Sequence, residues 1–302
     1  MMDKKITISI TCYNYGRYLD RAIESCLEQK GRDLDVDVLV IDDGSTDNTP
    51  QVCEEYADRI RVLRSENQGF GASLTRAIRQ AQGDYVCLLD ADDYFVETKL
   101  QELAPFIQDG YDLIENESYL IDETGNLIRE EPKGGGSTST LCVRRNKALD
   151  LLPAHNEIYF HALEYLGRSI KIERPLTYYR VHSESMIRSR DQASWYDELA
   201  SVTHRLADHL GQLAGQPPDW TEEVSLVEAS RIFRTTASYD EMEAELLRGK
   251  YLKALRKCAT MLRHAITTPE GVGIWHLKLA ARCLQGRAIE PPPQSKYREG
   301  DL

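Results

Sequence analysis

The chain has 302 residues, 41% hydrophobic and 28% charged, the composition of a globular protein able to bury a full core. A formal net charge of −12 argues against nucleic acid as the main partner, because phosphate recognition needs a basic face. Seven cysteines without a CxxC pair argue against a disulfide framework and predict buried thiols in a reducing, cytoplasmic setting. Met1 to Lys5 lead straight into the short apolar segment Ile6 to Ile10, so no signal peptide is expected. No stretch approaches the roughly 20 apolar residues of a membrane span.

Taken in chain order, the first elements alternate. Ile6 to Thr11 is a short β-rich run, and apolar Leu19, Ala22, Ile23, Cys26 and Leu27 mark one face of a helix over Tyr15 to Glu28. Val36 to Ile41 is a near-continuous apolar run, the pattern of a strand buried on both faces of a parallel sheet. Thr49 can cap the next helix, with Pro50 at its first position. Ile60 to Leu63 predicts a third strand, Gly71 to Ala81 a third helix and Tyr85 to Leu89 a fourth strand, the rhythm of a parallel α/β sheet.

The pattern then changes. A helix near Glu97 to Ile107 precedes Tyr111 to Ile121, and a tight turn at Glu123-Thr124-Gly125-Asn126 leads into a second strand at Leu127 to Arg129. Gly134-Gly135-Gly136-Ser137 reads as a flexible loop, and Leu141 to Arg144 and Lys171 to Ile172 as short strands with a helix between them. Beyond about Arg190 the signals are helical, broken at Gln216-Pro217-Pro218-Asp219. Pro291-Pro292-Pro293 ends ordered structure and leaves a mobile tail.

Ligands of an open parallel sheet bind beyond the carboxyl ends of its strands. Here those ends carry Thr11-Cys12-Tyr13-Asn14, Asp42-Asp43-Gly44-Ser45, Asn67-Gln68-Gly69 and Asp90-Ala91-Asp92-Asp93. Clustered carboxylates repel one another and are usually offset by a cation, and hard oxygen ligands favour Mg²⁺ or Mn²⁺. Asp90 and Asp92, alternating on an extended backbone, therefore suggest a metal–diphosphate site.

These motifs, together with Ala81-Gln82-Gly83-Asp84-Tyr85, occur in the order and approximate spacing found in family-two inverting glycosyltransferases, which Ile6 to Asp93 resembles. The resemblance implies an A-type glycosyltransferase fold: a mostly parallel twisted sheet flanked by helices, here with a helical C-terminal extension. It implies a nucleotide-sugar-binding half over 1–95, a smaller antiparallel acceptor half over 96–188 and the extension over 189–302. It places Thr11 and Tyr13 along the nucleotide base, Asp43 hydrogen-bonded to the base, and Asn67 and Gly69 beside the nucleotide. It places Asp90 at the ribose or sugar and Asp92 on the metal. Asp93 is left to the site or to a helix cap.

The resemblance continues more weakly to about Ser185. Gly136-Ser137-Thr138-Ser139 looks like the acceptor-side loop, with a plain linker as the other reading. Leu176 to His182 resembles a Tyr-Arg-x-His segment, from which His182 could reach the metal or the donor phosphates. Arg180 could neutralise phosphate or form a surface ion pair.

An inverting transferase also needs a carboxylate to deprotonate the acceptor hydroxyl. The aspartate the family supplies roughly ten residues before a glycine like Gly167 is missing from His155-Asn156-Glu157-Ile158-Tyr159-Phe160-His161. Glu157 is the leading candidate, with His161 and Glu164 behind it. If Asn156 holds the position of the base, the enzyme would be weak, use another residue or be inactive.

From Arg248 onward eleven Lys/Arg face four Asp/Glu, about +7, which leaves about −19 for the rest of the −12 total. Leu255, Ala259, Leu262 and Ile266 form an apolar stripe on a basic helix, and Ile274 to Leu284 is a second apolar stretch. Such helices can lie on the inner face of an anionic membrane or pack on the acidic segment Glu222 to Glu245 or on a second copy.

The reading is a metal-dependent transferase using a nucleotide-diphosphate sugar, UDP favoured, and an unnamed acceptor: a glycan, a lipid-linked sugar or a protein. A nucleotidyltransferase would show a glycine-rich basic loop where Tyr13-Asn14-Tyr15-Gly16-Arg17 stands. A non-catalytic nucleotide-binding or scaffold protein of the same fold is the alternative from another class.

Overall fold

The computed structural model describes residues 4–29, 35–129, 132, 134–183 and 191–266. The chain divides into two compact units, residues 1–182 and 183–302. The stretch Ile274 to Leu284, the proline run at 291–293 and the tail lie outside the described residues.

The first unit is built on β1 (Ile6–Cys12), α1 (Gly16–Leu27), β2 (Val36–Asp42), α2 (Thr49–Glu55), β3 (Arg61–Arg64), α3 (Phe70–Gln80), β4 (Tyr85–Asp90), β5 (Tyr94–Phe95), α4 (Lys99–Gln108) and β6 (Leu113–Ile121). A single 3-10 turn (Thr138–Thr140), β7 (Leu141–Arg144), α5 (Arg145–Asp150), α6 (Ile158–His161), α7 (Leu163–Leu166) and β8 (Ser169–Arg180) complete it. Eight strands form one sheet in the order β3-β2-β1-β4-β7-β6-β8-β5.

β1 lies between β2 and β4, parallel to both, and every residue of it is buried. Ile6, Ile8 and Ile10 fill the core on one face. On the other face the Thr7 hydroxyl donates to Asp37 (3.0 Å) and accepts from the amides of Gln82 and Gly83, so its polar group is not stranded.

The α1 and α2 starts are fixed together. Asp47 Oδ1 accepts from the Thr49 amide (3.0 Å) and hydroxyl (2.6 Å), and Oδ2 accepts from the Gly16 amide (2.9 Å). The N-cap position is Asn48, one residue before the Thr49 expected from sequence, and the capping oxygen comes from Asp47. A Cβ on Gly16 would sit 2.3 Å from Asn48 Oδ1 and 2.6 Å from the Thr49 nitrogen, so only glycine lets the helix ends meet.

The far half of the sheet is mixed rather than antiparallel. β7 is antiparallel to β4 and β6, and β5 to β8, but β6 and β8 run parallel. The segment between β6 and β8 contains β7 and three helices, long enough for a parallel crossover. The strand expected at Leu127 to Arg129 does not form. Asp122 Oδ1 takes the amides of Thr124 and Asn126, curling the chain, and only an isolated bridge joins Ile121 to Leu127. Leu127 and Ile128 remain exposed, with no face to bury. Lys171 to Ile172 is instead part of the twelve-residue β8, whose register against β6 shifts near Pro175, a residue unable to donate to the ladder.

The second unit contains α8 (Gln192–Leu213), α9 (Glu223–Leu247) and α10 (Tyr251–Ile266). Asp191 caps α8 by accepting from the Ser194 amide at 3.0 Å. Tyr239, Met242 and Leu246 of α9 pack on Ala254, Cys258 and Met261 of α10. The buried stripe of α10 is therefore turned one position from the Leu255–Ala259–Leu262 line read in sequence. Leu255 and Leu262 are only partly buried and Ala259 is exposed. Lys257 Nζ reaches Glu241 at 2.8 Å, so part of the basic face does meet the acidic helix. None of the six described cysteines is in a disulfide, and all six are buried. No described helix is long and apolar enough to cross a membrane.

Candidate active site

The carboxyl ends of β1, β2 and β4 bring the expected residues to one edge. Thr11 donates its hydroxyl to Asp90 Oδ1 at 3.0 Å. Asn14, in the left-handed region at φ 58°, accepts from the Thr46 amide (2.7 Å) through its side chain, and its own amide donates to the Ser45 hydroxyl (2.9 Å). That brace joins the loops after β1 and β2 and leaves the preceding Tyr13 46% exposed at the rim.

Asp43 is buried and serves its own loop. Its Oδ1 accepts from the Gln68 amide (3.1 Å) and from Arg76 (2.5 Å), and its Oδ2 from the Gly69 amide (2.8 Å). A carboxylate has about four lone-pair sites, so one more donor can be received. Asn67 is exposed beside it. Gly69 has φ 87°, a conformation that favours glycine, and no atom lies within 4 Å of where a Cβ would stand. Backbone conformation, not crowding, demands the glycine, and the space in front of the α3 N-terminus is open.

Asp90, Asp92 and Asp93 follow at the end of β4. Burial pushes the Asp90 carboxyl up to about 8, with the charges of Asp92 and then Glu157 adding to it, while Thr11 and Thr138 oppose the rise. Asp92 Oδ2 lies 2.9 Å from Nε2 of His182, whose buried ring packs edge-on against Tyr15 (5.5 Å between centroids) and at a tilt against Tyr18 (5.4 Å). Asp93 is wholly engaged within the protein: it accepts from the Ser139 hydroxyl (2.6 Å) and the Arg180 amide (2.8 Å). Burial, then Asp92 and Asp90, raises its carboxyl well above the ordinary range.

Arg180 is buried rather than a surface ion pair. Its buried guanidinium donates to the carbonyls of Asp92 (2.8 Å), Asp122 (3.1 Å) and Glu123 (2.8 Å) and lies over the Tyr18 ring at 4.7 Å. The 136–139 segment is not a loose linker. Gly135 and Gly136 are buried, Gly136 has φ 113°, and Ser139 accepts from the Asp90 amide at 3.0 Å.

Glu157 directly precedes α6, and its charge is felt at Asp90 and at the buried phenol of Tyr179. The seat of this segment gave no signal in the sequence. Thr75 of α3 exchanges two hydrogen bonds with Ala154, accepting from its amide (3.0 Å) and donating to its carbonyl (3.3 Å). A Cβ on Gly71 would lie 2.7 Å from the His155 carbonyl oxygen and 2.8 Å from that of Ala154. The α3 N-terminus that follows Gly69 thus also carries the 154–157 segment. Asn156 Oδ1 accepts from the Ile158 amide (3.0 Å), a local turn just before α6, whose N-cap position is Glu157. His161 Nδ1 pairs with Glu164 at 2.6 Å, and both gather with Glu115, ligand atoms within 4.8 Å of one another.

Asp90 and Asp92 offer carboxylate oxygens and His182 an imidazole nitrogen, ligand types that a hard divalent cation accepts; as the side chains stand, the group of described residues whose ligand atoms lie within 4.8 Å of one another is Glu115, His161 and Glu164.

The acidic end of β4, the glycine-opened start of α3 and the Glu157 segment gather at the carboxyl edge of the parallel strands, the edge at which open α/β sheets bind their ligands, and the architecture is that of the A-type glycosyltransferase fold. The sequence profile described as glycosyl transferase family 2 matches residues 7–131. An uncharacterized glycosyltransferase of Nostoc sp. is 31% identical over 235 residues, 65% of this chain and 71% of that protein. Glycosyltransferase GlyG of Streptococcus pneumoniae is 32% identical over 132 residues, 42% of this chain and 43% of that protein. Staphylococcus aureus TarS (residues 1–349, in complex with UDP-GlcNAc) superposes with a TM-score of 0.63 at 19% identity, covering 93% of this chain and 89% of that one, a likeness of fold. The chain belongs to glycosyltransferase family 2.

Proposed function

We propose that this glycosyltransferase moves a sugar, with inversion, from a nucleotide-diphosphate sugar to an acceptor hydroxyl, assisted by Mg²⁺ or Mn²⁺. The observation that carries the reading is the convergence of Asp90, Asp92, His182 and Glu157 on one sheet edge, where burial first, and then the charges of Asp92 and Glu157, raise the Asp90 carboxyl. Asp92, with Asp90 and His182, would hold the cation, which when bound supplies positive charge for the departing diphosphate. Thr11, Tyr13, Asp43, Asn67 and Gly69 border the nucleoside: Tyr13 offers a ring at the rim, Asp43 one remaining acceptor, and Gly69 open space.

Glu157 takes the acceptor proton as the acceptor oxygen bonds to C1 of the sugar. The C1–O bond to the diphosphate breaks, and its electron pair leaves with the nucleoside diphosphate. TarS shares the fold and is in complex with UDP-GlcNAc, so uridine donors head the test. A membrane or a second copy is proposed as the partner of the basic C-terminal helices; the exposed Leu252, Lys253, Arg256 and Arg263 of α10 are the residues available for it.

The test is calorimetry with UDP, GDP, dTDP and CDP, each with and without Mn²⁺, on wild type and Asp92→Ala, followed by turnover with the matching donor sugar. Metal-dependent binding of one nucleotide, lost in the variant, supports the reading. Absence of binding to all four overturns it, and binding without turnover favours the non-catalytic alternative.

A further inference from the structure

Lys99, the first residue of α4, is fully buried, an unusual place for an ammonium group. It is held by three contacts. Nζ donates to the Ser139 carbonyl (2.8 Å) and the Thr177 hydroxyl (3.0 Å) and lies 3.8 Å from the centroid of the Phe95 ring. Burial pushes the ammonium down to about 8, and the nearby Asp93 opposes that shift.

Ser139 is the hub between this cation and the acidic loop. Its carbonyl accepts from Lys99 and from the Thr177 hydroxyl (2.9 Å). Its own hydroxyl accepts from the Asp90 amide and donates to Asp93, which in turn receives the Arg180 amide. One chain of hydrogen bonds therefore runs from Lys99 through Ser139 to both ends of Asp90–Asp93 and on to β8. A methionine would fill the same volume without the cost of burying a charge. A lysine there adds what methionine lacks: a donor for the Ser139 carbonyl and a positive charge near Asp93.

We propose that Lys99 is a positioning residue of the donor site, fixing the Asp90–Asp93 loop through Ser139 from inside the protein. Its effect on ligand rests on reading that loop as the metal and donor site; its hold on the loop does not.

The experiment compares wild type, Lys99→Met and Ser139→Ala in the full chain. Amide hydrogen exchange reads the loop without ligand, and calorimetry reads UDP with Mn²⁺. The expected result is at least tenfold faster exchange at the Asp90 and Arg180 amides in both variants, with α2 unchanged, and at least tenfold weaker Mn²⁺-dependent nucleotide binding. Ser139→Ala leaves Lys99 its carbonyl partner, so it reports on the relay even if Lys99→Met does not fold. Wild-type exchange at Asp90 and Arg180 in Ser139→Ala, or a uniform change across the unit in a folded Lys99→Met, overturns the proposal. If wild type binds no nucleotide, the donor reading fails, and the exchange comparison still decides whether Lys99 holds the loop.

Discussion

Nε2 of His182 and Oδ2 of Asp92 stand 2.9 Å apart although 90 residues separate them in the chain. The contact joins the end of the β4 motif to the segment just after β8, and Arg180 reinforces it by holding the Asp92 carbonyl. The acidic loop is thus fixed from both halves of the sheet.

Asp92→Asn keeps the shape of the side chain, removes its negative charge and replaces one of its two oxygens with an amide nitrogen. It is expected to abolish the Mn²⁺ dependence of nucleotide binding and to lower kcat/KM at least 100-fold, about 2.7 kcal/mol of transition-state stabilisation. Steady-state kinetics across a Mn²⁺ titration checks this, and a variant with an unchanged metal response would remove Asp92 from the ligand set.

Glu157→Gln removes the proposed base without removing its bulk. Nucleotide binding is expected to stay within about twofold of wild type while kcat falls about 10²–10⁴-fold, the ordinary contribution of general base catalysis. Single-turnover rates with saturating donor are the measurement. An undiminished rate would transfer the role to another group.

Gly71→Ala drives a Cβ into the His155 and Ala154 carbonyls and must displace the segment that carries Glu157. The expected result is a fall in kcat with nucleotide affinity retained, because Asp43 and Gly69 are tied to one another independently of that segment. A loss of nucleotide affinity equal to the loss in kcat would contradict this division.

Thr75→Val deletes both hydrogen bonds to Ala154 at constant shape and leaves the buried Ala154 amide without its partner. Its cost is about 1–3 kcal/mol, read as a lower midpoint in urea unfolding with an unchanged slope. The rate is expected to fall alongside, as in Gly71→Ala.

Those last two residues show where sequence reading stops. The strand-end motifs were legible because a buried parallel strand announces itself as an apolar run, and polar residues at its end have only the ligand edge to occupy. Glu157 was named from its spacing to Gly167, yet the reason it lies near Asp90 is Thr75 and Gly71, on a helix about 80 residues earlier. Arg180 shows the same limit. Its motif allows a phosphate ligand or a surface ion pair, and the fold adds three backbone carbonyls as partners of Nε and Nη1 that no spacing announces.

The sequence by itself determined the α/β class, the rhythm of the first four strands, the buried cysteines and the acidic edge, because periodicity and turn chemistry are local and each residue reports them alone. Tertiary structure decided the parallel pairing of β6 with β8, the missing strand at Leu127, the one-position rotation of the α10 stripe and the Lys99–Ser139–Asp93 relay. Each depends on which distant group fills a hydrogen bond or a space. Residues far apart in a chain carry no mark of their partner until the backbone brings them within about 3 Å, the reach of a hydrogen bond.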